Sequence, residues 1–191
     1  MITGYAAVYY NGTEPTQFRL GPGYVERFMP GAFERALASG SDVVGLFNHD
    51  MNLLLGRVSA GTMTLSADSR GLKYEISESG TSISKDVADH QQRGDLVGSS
   101  IGFRPTVERM TTDGPLDVRE LHEVEIRDVG PVTYPAYDGT ADVRCFDNAG
   151  HAMALPETAV AELRSMPLYR NHLAEVIAAR LRAIHVDLYG Q

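Results

Sequence analysis

Apolar and β-branched residues in the first 150 positions fall into short runs, each closed by Gly, Pro, Asn or Asp. The runs Thr3–Tyr10, Asp42–Asn48, Leu53–Val58, Thr62–Ser66, Leu72–Ile76, Leu96–Phe103, Val118–Ile126 and Val129–Tyr134 predict strands. Two stretches carry a helical period instead. Pro30–Ser39 has Pro at a first-turn position and Gly40 as its stop, and Ser82–Arg93 is stopped by Gly94. Beyond Gly150 the pattern changes character. Pro156–Ser165 and Asn171–Leu188 read as helices, the second with Leu173, Val176, Ile177, Leu181, Ile184 and Leu188 at helical spacing. The expected fold class is therefore α+β: a mostly antiparallel β-sheet or barrel core with flanking helices over 1–147, and a C-terminal helical appendage over 148–191. The apolar stripe of that appendage needs a cover, from the core's own sheet, a second copy of the chain or a partner protein.

Composition narrows the function classes. No apolar run approaches the ~20 residues of a membrane span, and Met1 leads straight into Ile2-Thr3-Gly4-Tyr5 without a basic and apolar leader, so neither membrane insertion nor Sec export is expected. Seventeen basic against 25 acidic residues give a net charge of -8, the wrong sign for a nucleic-acid backbone partner. A single cysteine, Cys145, excludes an intrachain disulfide framework and a cysteine-rich zinc site, and suits a reducing compartment.

Three segments carry candidate chemistry. In Phe47-Asn48-His49-Asp50 an apolar run ends on a histidine; period-2 alternation puts His49 on the face of Val43, Gly45 and Phe47, where a neutral imidazole can serve as a general base. Hydrogen bonding at a strand end is the alternative use of such a residue. In Gly98-Ser99-Ser100-Ile101-Gly102-Phe103 the two glycines strip bulk from around the Ser100 hydroxyl, so a substrate carbonyl has room to approach. The G-x-S-x-G spacing is not a nucleophile elbow, because Phe103-Arg104-Pro105 continues an extended chain where an elbow needs a helix. In Leu121-His122-Glu123-Val124-Glu125-Ile126, alternation sends His122 to the face of Val124 and Ile126, and Glu123 to the other with Leu121 and Glu125. Either His122 or Glu123 is a candidate to orient a neighbouring imidazole, against the default of a solvated acidic face.

Together these segments resemble the caudoviral prohead protease family, serine peptidases that mature tailed-phage capsids and whose fold is similar to that of the herpesvirus assemblins. The resemblance runs from Gly4-Tyr5-Ala6-Ala7-Val8 through Pro30-Gly31-Ala32-Phe33, Phe47-Asn48-His49-Asp50, Leu55-Gly56-Arg57 and Gly94-Asp95-Leu96 to Pro131-Val132-Thr133-Tyr134-Pro135-Ala136-Tyr137, so it covers roughly Thr3–Arg144. It implies His49 as the catalytic histidine, Ser100 as the nucleophile and, with Leu121–Gly130 lined up on the assemblins' third-member strand, Glu123 as the third member, with His122 one residue off. Family sequences often carry Ser where this chain has Val97 and Gly130, and a larger apolar residue at Ser99, which keeps Ser99 as a rival nucleophile. The assemblins' oxyanion arginines have no counterpart beside Thr133, so the resemblance names no oxyanion hole.

The implied function is a serine endopeptidase that needs no metal or organic cofactor. By the same resemblance its substrates are the scaffolding segment of the major capsid protein and itself by autocleavage, inside the procapsid in the host bacterial cytoplasm, with no nucleic-acid or membrane partner. Assemblins are activated by dimerisation through a helix, which makes the C-terminal segment the candidate for a homodimer contact. The alternative is a catalytically inactive capsid-assembly scaffold protein on the same fold. A metal-dependent hydrolase using His49, Asp50 and His122 lacks any H-E-x-x-H type of ligand spacing.

Overall fold

The computed structural model describes residues 1–135 together with the strands Arg144–Phe146 and Ala152–Met153. The helices expected at Pro156–Ser165 and Asn171–Leu188, and the appendage they form, lie outside the described residues. In chain order the elements are β1 (Ile2–Val8), β2 (Phe18–Gly21), β3 (Tyr24–Phe28), α1 (Glu34–Ala38), β4 (Val44–Leu46), β5 (Leu54–Arg57), β6 (Met63–Ala67), β7 (Gly71–Ile76), α2 (Ser82–Arg93), β8 (Gly98–Asp113), β9 (Leu116–Val132), β10 (Arg144–Phe146) and β11 (Ala152–Met153). The class is α+β, as expected, but the strands form two separate sheets and do not close into a barrel.

One sheet has the order β11-β10-β1-β7-β6 and is antiparallel throughout. The other runs β2-β3-β9-β4-β5, with β8 on the free side of β9. Here the expectation of antiparallel pairing holds only in part, because both β3 and β4 lie parallel to β9. Inward residues of both sheets join one core. Ile2, Leu72, Tyr74 and Ile76 from the first and Ile101, Leu121, Val124, Ile126 and Val129 from the second are 7% exposed or less. Phe28 packs on Phe33 and Phe103 with ring centroids 5.0 and 4.9 Å apart, and Tyr9 stacks on Phe33 at 5.2 Å. Each fully buried ring contributes about 2–3 kcal/mol, which seats α1 against β9.

The departures from the sequence pattern have local causes. β2 and β3 escape an apolar-run reading because β3 buries two charged residues, Glu26 and Arg27. Arg27 donates to Gln17 at 2.9 Å and to Asp113 at 2.7 Å and stacks on Tyr10; Glu26 accepts from Arg119 at 3.0 Å. With partners in place these charges are tolerated inside. The first helix begins four residues later than Pro30 because Gly31 takes a left-handed turn, φ 96°, and the chain enters α1 only after it. α2 follows the expected signals: Thr81 caps the Ser84 N–H, and Gly94 at φ 80° lets its own N–H reach back to the Gln91 and His90 carbonyls. Among the described residues no helix is long and apolar enough to cross a membrane.

Candidate active site

β8 and β9 form one long antiparallel hairpin, and the site is built on its base. The register pairs Ser99 with Pro131, Ser100 with Gly130, Ile101 with Val129 and Gly102 with Asp128, and then slips, so that Phe103 pairs with Ile126 and Arg127 is left over as a β-bulge. Ser99, Ile101 and Phe103 consequently share the core face with Val129 and Ile126, while Ser100, Gly102, Asp128 and Gly130 share the opposite one. Without the bulge Asp128 would follow Ile126 into the core. With it, Ser100 and Asp128 stand diagonally across two strands, a separation of about 7 Å that side chains can bridge.

The two serines therefore part company. Ser99 is fully buried, with its hydroxyl 2.8 Å from the Tyr74 hydroxyl and packed beneath Gly4. Ser100, on the other face, has no such partner among the described residues and is 7% exposed. β8 runs on extended to Asp113, as the rejection of an elbow requires.

His49 arrives from the turn between β4 and β5. The strand ends at Leu46, earlier than expected, and Asn48 and His49 both take left-handed backbone with φ 54° and 57°. Asn and His are among the side chains that tolerate this region best. The turn is closed by Phe47 N to Leu53 O at 3.1 Å and Leu53 N to Asp50 O at 2.9 Å. Gly130 lets it approach, for a Cβ there would fall 2.0 Å from the Leu46 carbonyl oxygen. The outcome is a short contact between His49 Nδ1 and Asp128 Oδ1. An ionised carboxylate only accepts, so in the neutral ring the proton sits on Nδ1 and the Nε2 lone pair is left free to take another. The two side chains are 16% and 17% exposed, which shields the contact from bulk water. Among the described residues no hydrogen bond joins Ser100 to His49, a bond that in hydrolases commonly tightens only on substrate.

Glu123 is not at this site. Its carboxylate accepts from Arg35 Nη1 of α1 at 2.6 Å, and the bulges between it and Asp128 put the two acids in different surroundings. Glu123 was expected beside His49, but the carboxylate that contacts His49 Nδ1 in the structure is that of Asp128. His122 is also elsewhere, with Nε2 3.2 Å from Glu120. Glu125 is bound by Arg104 through contacts of 2.8 to 3.1 Å, and those hydrogen bonds hold its carboxyl below the usual carboxylate range. Asp50 turns back on its own loop, accepting from the backbone and side-chain amides of Asn52 at 2.8 and 2.9 Å. His49, Asp50 and His122 are not gathered, and among the described residues no group of three His, Cys, Asp or Glu side chains could hold a metal ion.

The signal for Asp128 in the sequence was Gly102. A Cβ on residue 102 would stand 1.8 Å from Asp128 Oδ2, so the glycine makes room for this carboxylate.

No curated protein and no solved structure matches the chain. The family model described as caudovirus prohead serine protease matches residues 1–153, a span that holds β1 to β11 and every residue of the site. On that match the chain belongs to the caudovirus prohead serine protease family.

Proposed function

We propose that this chain is a serine endopeptidase that cuts capsid or scaffold protein, and its own chain, within the maturing procapsid, with Ser100 as nucleophile, His49 as base and Asp128 as the acid that orients the base. The family match supports capsid maturation by a serine peptidase in general. The observation that carries the residue assignment is the His49–Asp128 contact on the face that Ser100 shares.

The chemistry follows from the protonation states. A serine hydroxyl is a weak nucleophile until a base removes its proton. His49 Nε2 takes that proton as Ser100 Oγ bonds to the scissile carbonyl carbon, and the carbonyl electron pair moves to oxygen. Asp128 accepts the Nδ1–H throughout and stabilises the imidazolium. As the carbonyl re-forms, the C–N bond breaks and His49 Nε2 gives its proton to the departing amine. Water then attacks the acyl-enzyme, giving a proton to His49, and Ser100 Oγ leaves and recovers it. Co-expression with the capsid gene and mass spectrometry of the products tests the reading: Ser100→Ala, His49→Ala and Asp128→Asn are expected to lose processing. Undiminished cleavage by Ser100→Ala would overturn it.

A further inference from the structure

Asn48 has no part in the proton transfers, yet its side chain joins the histidine turn to the strand that carries the rest of the site. Left-handed backbone costs a residue other than glycine about 1 kcal/mol or more, and two such residues in succession persist only where their surroundings hold them. The bonds within the turn close it, β4 pairs with β9 just before it, and Asn48 ties the turn itself to the end of β9. Its N–H donates to the Pro131 carbonyl at 3.1 Å, its Oδ1 accepts from the Thr133 N–H at 2.8 Å, and its Nδ2 donates to Thr133 Oγ1 at 3.2 Å. Pro131 and Thr133 flank the end of the strand whose Gly130 pairs with Ser100 and whose Asp128 holds His49.

We infer that Asn48 is a positioning residue for the proposed serine chemistry: the carboxamide bridge to Thr133 fixes where the neighbouring imidazole points, so that Nε2 meets the Ser100 hydroxyl. The inference rests on the reading above. Asp128 secures one ring nitrogen, and a single contact leaves the ring free to swing about it. The second anchor has to come through the backbone of residue 49, and Asn48 supplies it from the adjacent position. Both Asn48 and Thr133 are exposed, so the bridge adds little to stability. A displacement of about 1 Å at reacting atoms costs about a hundredfold in rate. Loss of the bridge therefore acts on rate far more than on folding.

The test uses the full chain and a fluorophosphonate probe, which bonds phosphorus to an activated serine Oγ with loss of fluoride while the base takes the hydroxyl proton. Saturation kinetics separate probe affinity from the bonding step. Asn48→Gly keeps left-handed backbone and removes only the carboxamide; the bonding rate is expected to fall about 10- to 100-fold, with affinity and melting temperature little changed. Asn48→Asp keeps the acceptor for the Thr133 N–H and receives the Thr133 hydroxyl on its other oxygen, so it is expected to stay within about fivefold of the parent. Thr133→Val removes one bond of the bridge and is expected to lose about three- to tenfold, which carries the comparison if Asn48→Gly fails to fold. Labelling of Asn48→Gly at the parental rate, or losses that simply follow melting temperature across the set, would overturn the inference. A parent chain labelled no better than Ser100→Ala would instead bring down the serine reading, and this inference with it.

Discussion

Replacing Gly102 by alanine tests the site at a residue that performs no chemistry. The new methyl would stand 1.8 Å from Asp128 Oδ2 and 2.8 Å from its Cγ, whereas ordinary contact begins near 3.4 Å, so the carboxylate has to retreat by about 1.6 Å. The obstacle is the end of a flexible side chain, not backbone. Asp128 can swing aside and the β8–β9 ladder can survive, at a stability cost of about 1 kcal/mol. What does not survive is the contact with His49 Nδ1, which has no slack to absorb such a shift. Loss of the orienting acid from a serine–histidine pair costs up to about 10⁴-fold in kcat, and a misplacement of this size at least about 10²-fold. Gly102→Ala is therefore expected to lower kcat for capsid-protein cleavage by 10²- to 10⁴-fold, on the order set by those two limits, with KM little changed. In an Asp128→Ala background the same substitution has nothing left to displace and is expected to add less than about threefold. Quenched-fluorescence cleavage assays beside thermal melts of the four proteins decide it. Retention of a third or more of parental kcat by Gly102→Ala, or full additivity with Asp128→Ala, would refute the reasoning.

Ser99→Ala is expected to weaken the buried contact with Tyr74 and cost about 1–2 kcal/mol in denaturant unfolding while leaving probe labelling intact, the reverse of Ser100→Ala. Glu123→Gln is expected to change kcat by less than about threefold, since it disturbs only an exposed pair with Arg35, whereas Asp128→Asn, matched in size, is expected to lose orders of magnitude. Asp68 is held below the usual carboxylate range by the Tyr5 hydroxyl and the backbone N–H groups of Arg70 and Gly71. A carboxyl whose pKa is lowered on folding stabilises the fold fully above its unfolded value of about 4 and loses that contribution as pH falls through the folded one. Asp68→Asn is accordingly expected to lose up to about 1 kcal/mol at pH 7, and the gap from the parent is expected to narrow below pH 4 in denaturant melts.

Much of the architecture was legible because most strands are apolar runs with clear punctuation; β5, β6 and β7 were read within about a residue or two at each end, a margin usual for element boundaries. β2 and β3 were not, since pairing of Glu26 and Arg27 with distant Arg119 and Asp113 is invisible to local pattern. The same limit governs the site. The segments holding His49 and Ser100 stand out by composition, but the carboxylate that contacts His49 could not be chosen by alternation, because the bulge at Arg127 resets the phase of β9 between Ile126 and Asp128. A strictly periodic strand sends Asp128 inward, and Glu123 came from lining up Leu121–Gly130 with the assemblins' third-member strand. Gly102 is the one local trace of Asp128, since a Cβ there would collide with its carboxylate, but only the register of β8 on β9 shows what it faces.

The hairpin also orders the assembly of the site in time. Ser100 and Asp128 lie on two strands joined directly at Gly114-Pro115, so closing that one turn and zipping its ladder brings them into register. His49 is 79 residues from Asp128 along the chain and comes in only when β4 docks on β9 through a two-residue parallel bridge. Loop-closure entropy makes such distant parallel pairings late events in folding. On the proposed reading, a half-folded chain thus holds Ser100 and Asp128 in register without His49 and is expected to be inert toward its neighbours. In refolding, formation of strand structure is expected to precede fluorophosphonate labelling by a measurable lag; labelling in step with the first strand signal would show that the histidine turn docks early.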